Sequence, residues 1–156
     1  MTSAELTKQI MAQKHSATIA HEQYLSKLRE YMPGSNLYMR EVHFVAAASP
    51  QRPVMIADIA QTLSVTQGAV SQIATRLEKK GYIKRTRAKE DKRQIYVELT
   101  ASGKELYKHH QRFDEESIEK VCDVFSQHFT DQELEKIIEY EKLCCQIFTD
   151  NVEKIQ

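Results

Sequence analysis

The chain has 156 residues, 41% hydrophobic and 28% charged, and its 22 basic and 22 acidic side chains balance to zero. That is one domain's worth of sequence with enough apolar material for a core. No run approaches the ~20 apolar residues of a membrane span, no N-terminal run reads as a secretory signal, and three cysteines do not make a disulfide framework. These features describe a soluble, cytoplasmic protein with no membrane partner.

Residues Ser3 to about Tyr31 lack Gly and Pro and are predicted to form one long helix. Its broken apolar stripe is Leu6, Ile10, Ala17, Ala20, Tyr24, Leu28 and Tyr31, and Ser3 is a weak cap. Met32-Pro33-Gly34-Ser35 ends it. A second helix runs from Leu37 to about Ala48 and stops at Ser49-Pro50. Gln51 to Val54 is an extended link, suited to a short strand. Ile56, Ile59, Ala60 and Leu63 then follow the i, i+3, i+4, i+7 spacing of one helix face. The same spacing recurs in Val70, Ile73, Ala74 and Leu77. Between them Ser64-Val65-Thr66 leaves room for a turn alone, which is the helix-turn-helix pattern.

Thr66 is the expected N-cap of the second of these helices. With its apolar face turned inward, Gly68, Gln72, Thr75 and Lys79 face outward, flanked by Ser71 and Arg76. Amides, hydroxyls and cations pair with base edges and phosphates. Gly68 is unfavourable inside a helix and would allow close approach to a DNA backbone. An ordinary solvated helix face has the same composition, so the next segment decides. After Gly81, a C-cap residue, the period changes from 3.6 to 2. Ile83 to Arg87 is one strand, and Ile95, Val97 and Leu99 form the apolar face of another, with Ala88 to Arg93 as the tip. From Arg76 to Arg93 there are nine Lys or Arg and three acids, +6 in all, so the remainder carries −6. A basic block beside a candidate recognition helix is the footprint of a polyanion-binding surface.

Thr100 caps a further long helix to roughly Gln127, with Leu106, His110, Phe113, Val121, Val124 and Phe125 near one face. Thr130 to Glu133 is a capping box that opens a last helix, with Leu134, Ile137, Ile138, Cys145, Phe148 and Val152 inward. Asp114 to Lys142 holds ten acids and three bases, which excludes this half from contact with DNA.

The run IADIAQTLSVTQGAVSQIATRLEKKGYIKR, followed by DKRQIYVELTASG, resembles the winged helix-turn-helix of the MarR (multiple-antibiotic-resistance regulator) family. The most specific pieces are Asp91-x-Arg93 and Leu99-Thr100-x-x-Gly103. The resemblance implies a mainly α fold with a small β-hairpin wing. Residues 1–156 would form a single domain, with a DNA-binding region over 37–100 and dimerisation helices over 3–31 and 101–156. It implies a homodimer on double-stranded DNA, reading an inverted repeat as a repressor under allosteric control. Gln67, Ser71, Gln72 and Thr75 would face the bases, with Thr66 and Gly68 also in the DNA-binding set. Arg76, Lys79 and Lys80 would lie near phosphates. Arg87, Lys89, Lys92 and Arg93 would lie along the backbone or minor groove, with Asp91 holding a neighbouring arginine; an Asp at this position also suits a plain turn.

Such regulators respond to a ligand, a metal or an oxidant. Cys122, Cys144 and Cys145 lie in the C-terminal helices among acids, which do not activate a thiol, and read as small buried hydrophobes. Zinc-responsive relatives pair a His of the second helix with His-x-x-x-His on the fifth. His43 matches the first, but Phe113 follows His109 by four and Asp114 follows His110 by four, so no metal or other cofactor is assigned. Arg40 to Phe44 and Leu106 to Phe113 resemble the fatty-acid-synthesis repressors of the family. By that resemblance Tyr38, His43, Phe44, His110 and Phe113 would line a slot for a small apolar or acyl ligand. The alternatives are a metal- or redox-responsive regulator, or a winged-helix protein-interaction module without an operator. No phosphate-binding Gly loop, HExxH or nucleophile motif is present, so the chain is not read as an enzyme.

Overall fold

The computed structural model describes residues 1–88, 90, 91 and 93–153, with the side chains of 152 and 153 left aside. The fold is mainly helical with two small antiparallel sheets. Two compact units divide the chain, residues 1–112 and 113–156.

The first unit opens with α1, Ser3–Leu25. Its cap is Thr2, not Ser3: the Thr2 hydroxyl accepts from Glu5 N at 3.3 Å and the Glu5 carboxylate accepts from Thr2 N at 2.8 Å. α1 ends six residues before the predicted Tyr31. Leu28–Glu30 (β1) instead pairs with Asn36–Tyr38 (β2), Arg29 opposite Leu37. Leu28 and Tyr31 are three residues apart and fit a helical stripe, but longer-range terms override that local spacing. Leu37 is fully buried, and the Ser35 hydroxyl accepts from the backbone N–H groups of Tyr31 and Met32 at 3.1 and 2.6 Å. The second helix, α2, is accordingly shorter than predicted, Met39–Ala47.

Strand β3, Val54–Met55, pairs with β5, Ile95–Leu99, which pairs in turn with β4, Ile83–Arg87. Of the extended link predicted over 51–54, Val54 alone joins the wing hairpin, together with Met55. The two helices of the turn motif are α3, Ile56–Thr62, and α4, Gln67–Lys79. Both end in the same way. Ser64 N donates to Gln61 O and Val65 N to Ala60 O; Gly81 N donates to Glu78 O and Tyr82 N to Leu77 O, all at 3.0 Å. Each is a Schellman closure, which needs a left-handed residue at its centre. Ser64 (φ 52°) and Gly81 (φ +82°) supply it.

The inward faces predicted for α3 and α4 meet in a core with Leu37, Val42, Phe44, Val45, Ile83, Val97, Leu99 and Leu106. Helix α5, Ala101–His128, starts against this core. The Thr100 hydroxyl accepts from Gly103 N at 3.1 Å and donates to Gly81 O at 2.7 Å. A Cβ on Gly103 would stand 2.0 Å from the Tyr82 carbonyl oxygen, so this glycine is what lets α5 approach the end of α4.

The second unit holds the rest of α5 and α6, Asp131–Glu153. Thr130 and Glu133 form the predicted capping box, with Thr130 N donating to the Glu133 carboxylate at 2.8 Å. The inward face of α6 differs from the predicted one. Cys144 is buried, while Ile137, Ile138, Cys145 and Phe148 are exposed; the Val152 side chain lies outside the described residues. Val121, Val124 and Phe125 of α5 are exposed too, as is Cys122, so two of the three cysteines are not buried hydrophobes. The 3.6 periodicity marks an apolar stripe but not the surface that covers it. Among the described residues, no helix is long and apolar enough to cross a membrane.

Candidate nucleic-acid interface

Helix α4 is fixed from below and its outer face is open. Val70, Ala74 and Leu77 have no exposure and Ile73 has little. Thr66 caps the helix, its hydroxyl accepting from Ala69 N at 3.2 Å. Thr66, Gln67, Gly68, Gln72, Thr75, Arg76 and Lys79 are exposed, and Ser71 is half-buried. The Thr75 hydroxyl is turned back onto Ser71 O at 2.9 Å, leaving its methyl outward. Around Gly68 the nearest atom to an added Cβ is 4.0 Å away, so nothing inside the chain requires a glycine there.

The wing is tied to this helix. Glu78 accepts from Arg85 N at 3.0 Å, from Nε at 2.9 Å and from Nη2 at 2.6 Å. Hydrogen bonding to the Arg85 guanidinium holds the Glu78 carboxyl below its usual range. At the wing tip Asp91 accepts from Arg93 N at 3.0 Å and from Arg93 Nε at 3.3 Å, with the Arg93 side chain 93% exposed. Asp91 is thus both the turn residue and the holder of a neighbouring arginine. Arg87 is exposed on β4. Lys89 and Lys92 lie outside the described residues.

Two of the basic residues predicted near phosphates have partners within the chain. Arg76 Nε reaches Glu41 Oε1 at 3.2 Å and Lys80 Nζ reaches Glu41 Oε2 at 2.8 Å. Glu41 is fully buried, and it also accepts from Tyr38 N at 3.0 Å. Sequence reasoning missed it, although the signal was present. Glu41 stands in the stripe Leu37, Phe44, Val45, Ala48, and a carboxylate on a core stripe demands cationic partners.

Of the five residues expected to line a ligand slot, the four in the first unit do not share one surface. His43 and His110 come together, ring centroids 5.4 Å apart, with His110 buried. Phe44, however, is sealed in the core because α2 turns its Val42–Phe44–Val45 face there, and Tyr38 is exposed at the start of α2. Phe113 belongs to the second unit and is partly exposed. A cavity of about 310 Å³ is lined by His43, Leu25, Ser64, Val65 and Ile73 among others, and by the ion-paired Arg40 and Glu22. Among the described residues no three His, Cys, Asp or Glu side chains are grouped as metal ligands.

Comparison with known proteins places this geometry in context. The model of the MarR family matches residues 37–95. The chain is 30% identical over 103 residues to YpoP of Bacillus subtilis, an uncharacterized HTH-type transcriptional regulator, covering 66% of this chain and 70% of YpoP. It is 28% identical over 105 residues to YhjH, another uncharacterized HTH-type regulator of that bacterium, covering 67% of this chain and 59% of YhjH. The chain spans about six tenths of the length of the first curated relatives it matches. Among solved structures, the zinc-responsive MarR family member ZitR of Lactococcus lactis superposes with a TM-score of 0.70 at 22% identity, over 92% of this chain and 99% of ZitR. Streptococcus pneumoniae FabT, solved in complex with DNA, superposes with a TM-score of 0.62 at 22% identity, over 96% of this chain and 99% of FabT. At that identity the likeness is one of fold.

Proposed function

The chain belongs to the MarR family, and we propose that it is a homodimeric transcription repressor that reads an inverted-repeat operator and is released by a small ligand. The observation that carries the reading is the open polar face of α4 beside a basic wing, on a helix whose inner face is fully packed. Gln67, Ser71, Gln72 and Thr75 meet base edges in the major groove, and Gly68 lets the DNA backbone come close. Thr66, Lys79, Arg87, Lys89 and Lys92 serve the phosphates, and Arg93, oriented by Asp91, enters the minor groove. Phosphate contacts set register and most of the affinity, and base contacts set sequence. That FabT and ZitR were each solved in complex with DNA supports the same use of this fold.

Two recognition helices read an inverted repeat only if they are held about one duplex turn, ~34 Å, or a multiple apart. The long helices of the chain provide that link in a dimer, and their exposed apolar residues support it. A ligand releases DNA only by preferring a dimer with the wrong spacing. We place it in the cavity beside His43, where the α3–α4 turn, α1 and α2 converge and where Leu25, Leu63, Val65 and Ile73 mixed with a few polar groups suit a small, largely apolar ligand.

Fluorescence anisotropy on a duplex from upstream of the protein's own gene tests the reading. For a dimer neutralising about eight phosphates, log K falls with log salt at a slope of about −7. Gln72→Ala relaxes base preference at one position per half-site, by about 1–3 kcal/mol for a bidentate contact. A flat salt response, with binding to an acidic protein instead, would mark an interaction module without an operator.

A further inference from the structure

Among the described residues, Glu41 is the one carboxylate with no exposure at all, and it lies beneath the helix proposed to enter DNA. Its two oxygens accept from Arg76 and Lys80, cations four residues apart on one edge of α4, and its third bond fixes Tyr38 N at the start of α2. Lys80 Nζ donates in addition to Asn36 O of β2 at 3.0 Å. Stripping the partners from a buried carboxylate leaves an uncompensated charge, which is strongly unfavourable. Arg76 and Lys80 are therefore committed to the protein interior, although their side chains are 49% and 33% exposed. Arg85 is paired with Glu78, a carboxylate that is partly exposed. Among the described residues of α4 and the wing strands, Lys79, Lys84 and Arg87 carry no ion pair.

Binding to any duplex grows with the number of phosphates that cations neutralise, whereas discrimination comes from base edges. A device that withholds two cations per chain lowers the first term and leaves the second. We propose that Glu41 is a specificity-determining positioning residue: it holds Arg76 and Lys80 away from the phosphate backbone and so limits binding to non-cognate DNA. It never touches DNA itself. The same three contacts set the rotation of α4 against α2, so the polar face is presented at a fixed angle. This rests on the DNA-reading function proposed above.

The test is salt-titrated anisotropy on a short random-sequence duplex, comparing the wild type with Glu41→Gln, Arg76→Gln and Lys79→Gln. Glutamine keeps the acceptor for Tyr38 N but releases the two cations. Glu41→Gln is expected to bind the random duplex roughly tenfold tighter at low salt, with a slope steeper by up to about 4 for two recruited cations per chain of a dimer. Arg76→Gln is expected to flatten the slope by less than half as much as Lys79→Gln, whose loss is about 1.8 per dimer. A purely structural Glu41 would instead weaken binding to all DNA and leave the slope no steeper, which would overturn the proposal. If Glu41→Gln melts below the assay temperature, the Arg76→Gln and Lys79→Gln pair decides alone, and equal flattening rejects the idea. Wild-type protein with no salt-dependent affinity for any duplex removes the DNA-reading account itself, a result visible before any variant is compared.

Discussion

Residues 37–107 and residues 113–153 are both built from amphipathic helices, yet they treat apolar side chains in opposite ways. In the first segment the stripes of α2, α3 and α4 close on one another and on the wing, leaving Val42, Phe44, Ile59, Val70 and Leu77 with no exposure. In the second, Ile118, Val124, Ile138, Leu143 and Ile147 are each more than half exposed. Apolar area removed from water contributes roughly 25 cal/mol per Å², so the first segment holds itself together while the second has its contribution still to gain. Burial there requires another surface, which the proposed second copy provides. The acidic charge of 114–142 agrees, since it keeps this region off DNA and leaves its apolar stripe for protein.

The largest effect should come from breaking the open stripe. Ile138→Glu puts a charge where the partner would close, at a cost of about 3 kcal/mol or more. Sedimentation should then show monomers, with operator affinity down roughly a hundredfold; an unchanged dimer would move the interface elsewhere. In the closed segment Gly103→Ala forces a Cβ onto the Tyr82 carbonyl and should lower stability by about 1–3 kcal/mol. Thermal unfolding reads this, and an unaltered midpoint would mean that α5 can shift at no cost. Arg93→Ala should leave the melting curve unchanged, because the side chain is almost wholly exposed. It should weaken operator binding by about tenfold, and intact affinity would remove Arg93 from the interface. The smallest effect is expected from Gly68→Ala. An open site and better helix propensity should raise stability by up to about 1 kcal/mol while the added methyl weakens DNA binding. Unchanged affinity would show that the DNA backbone does not come close at that position.

The closed segment was legible in the sequence and the open one only partly, for a physical reason. Ile56 to Leu63 and Val70 to Leu77 each keep one apolar face at helical spacing, and Thr66 and Gly81 punctuate the helices locally, so spacing gives the elements although Leu37, Phe44, Val97 and Leu106, which they pack with, lie far along the chain. Gly103 stood out only within the motif that resembles the family's wing, and the Tyr82 carbonyl that requires it lies on another element. The hairpin at Leu28–Tyr38 was hidden because Leu28 and Tyr31 continue the helical spacing of α1, while β1, at three residues, is too short to show a period of two. Glu41 was visible as a misfit on an apolar stripe, but its partners stand 35 and 39 residues further on, and no local pattern names them. The stripe on α6 shows a second kind of limit: Ile137, Ile138 and Phe148 were recognisably one face, while the surface that closes it is not written in their spacing.

Hydroxyl-radical footprinting of a fragment from upstream of the protein's own gene tests the central claim most directly. A dimer with one α4 and one wing per half-site should give two protected segments related by a dyad, with centres one helical turn, ~34 Å, or a multiple apart. Flanking minor-groove protection should disappear in Arg93→Ala. A single unsymmetrical footprint, or none at low salt, would contradict the account.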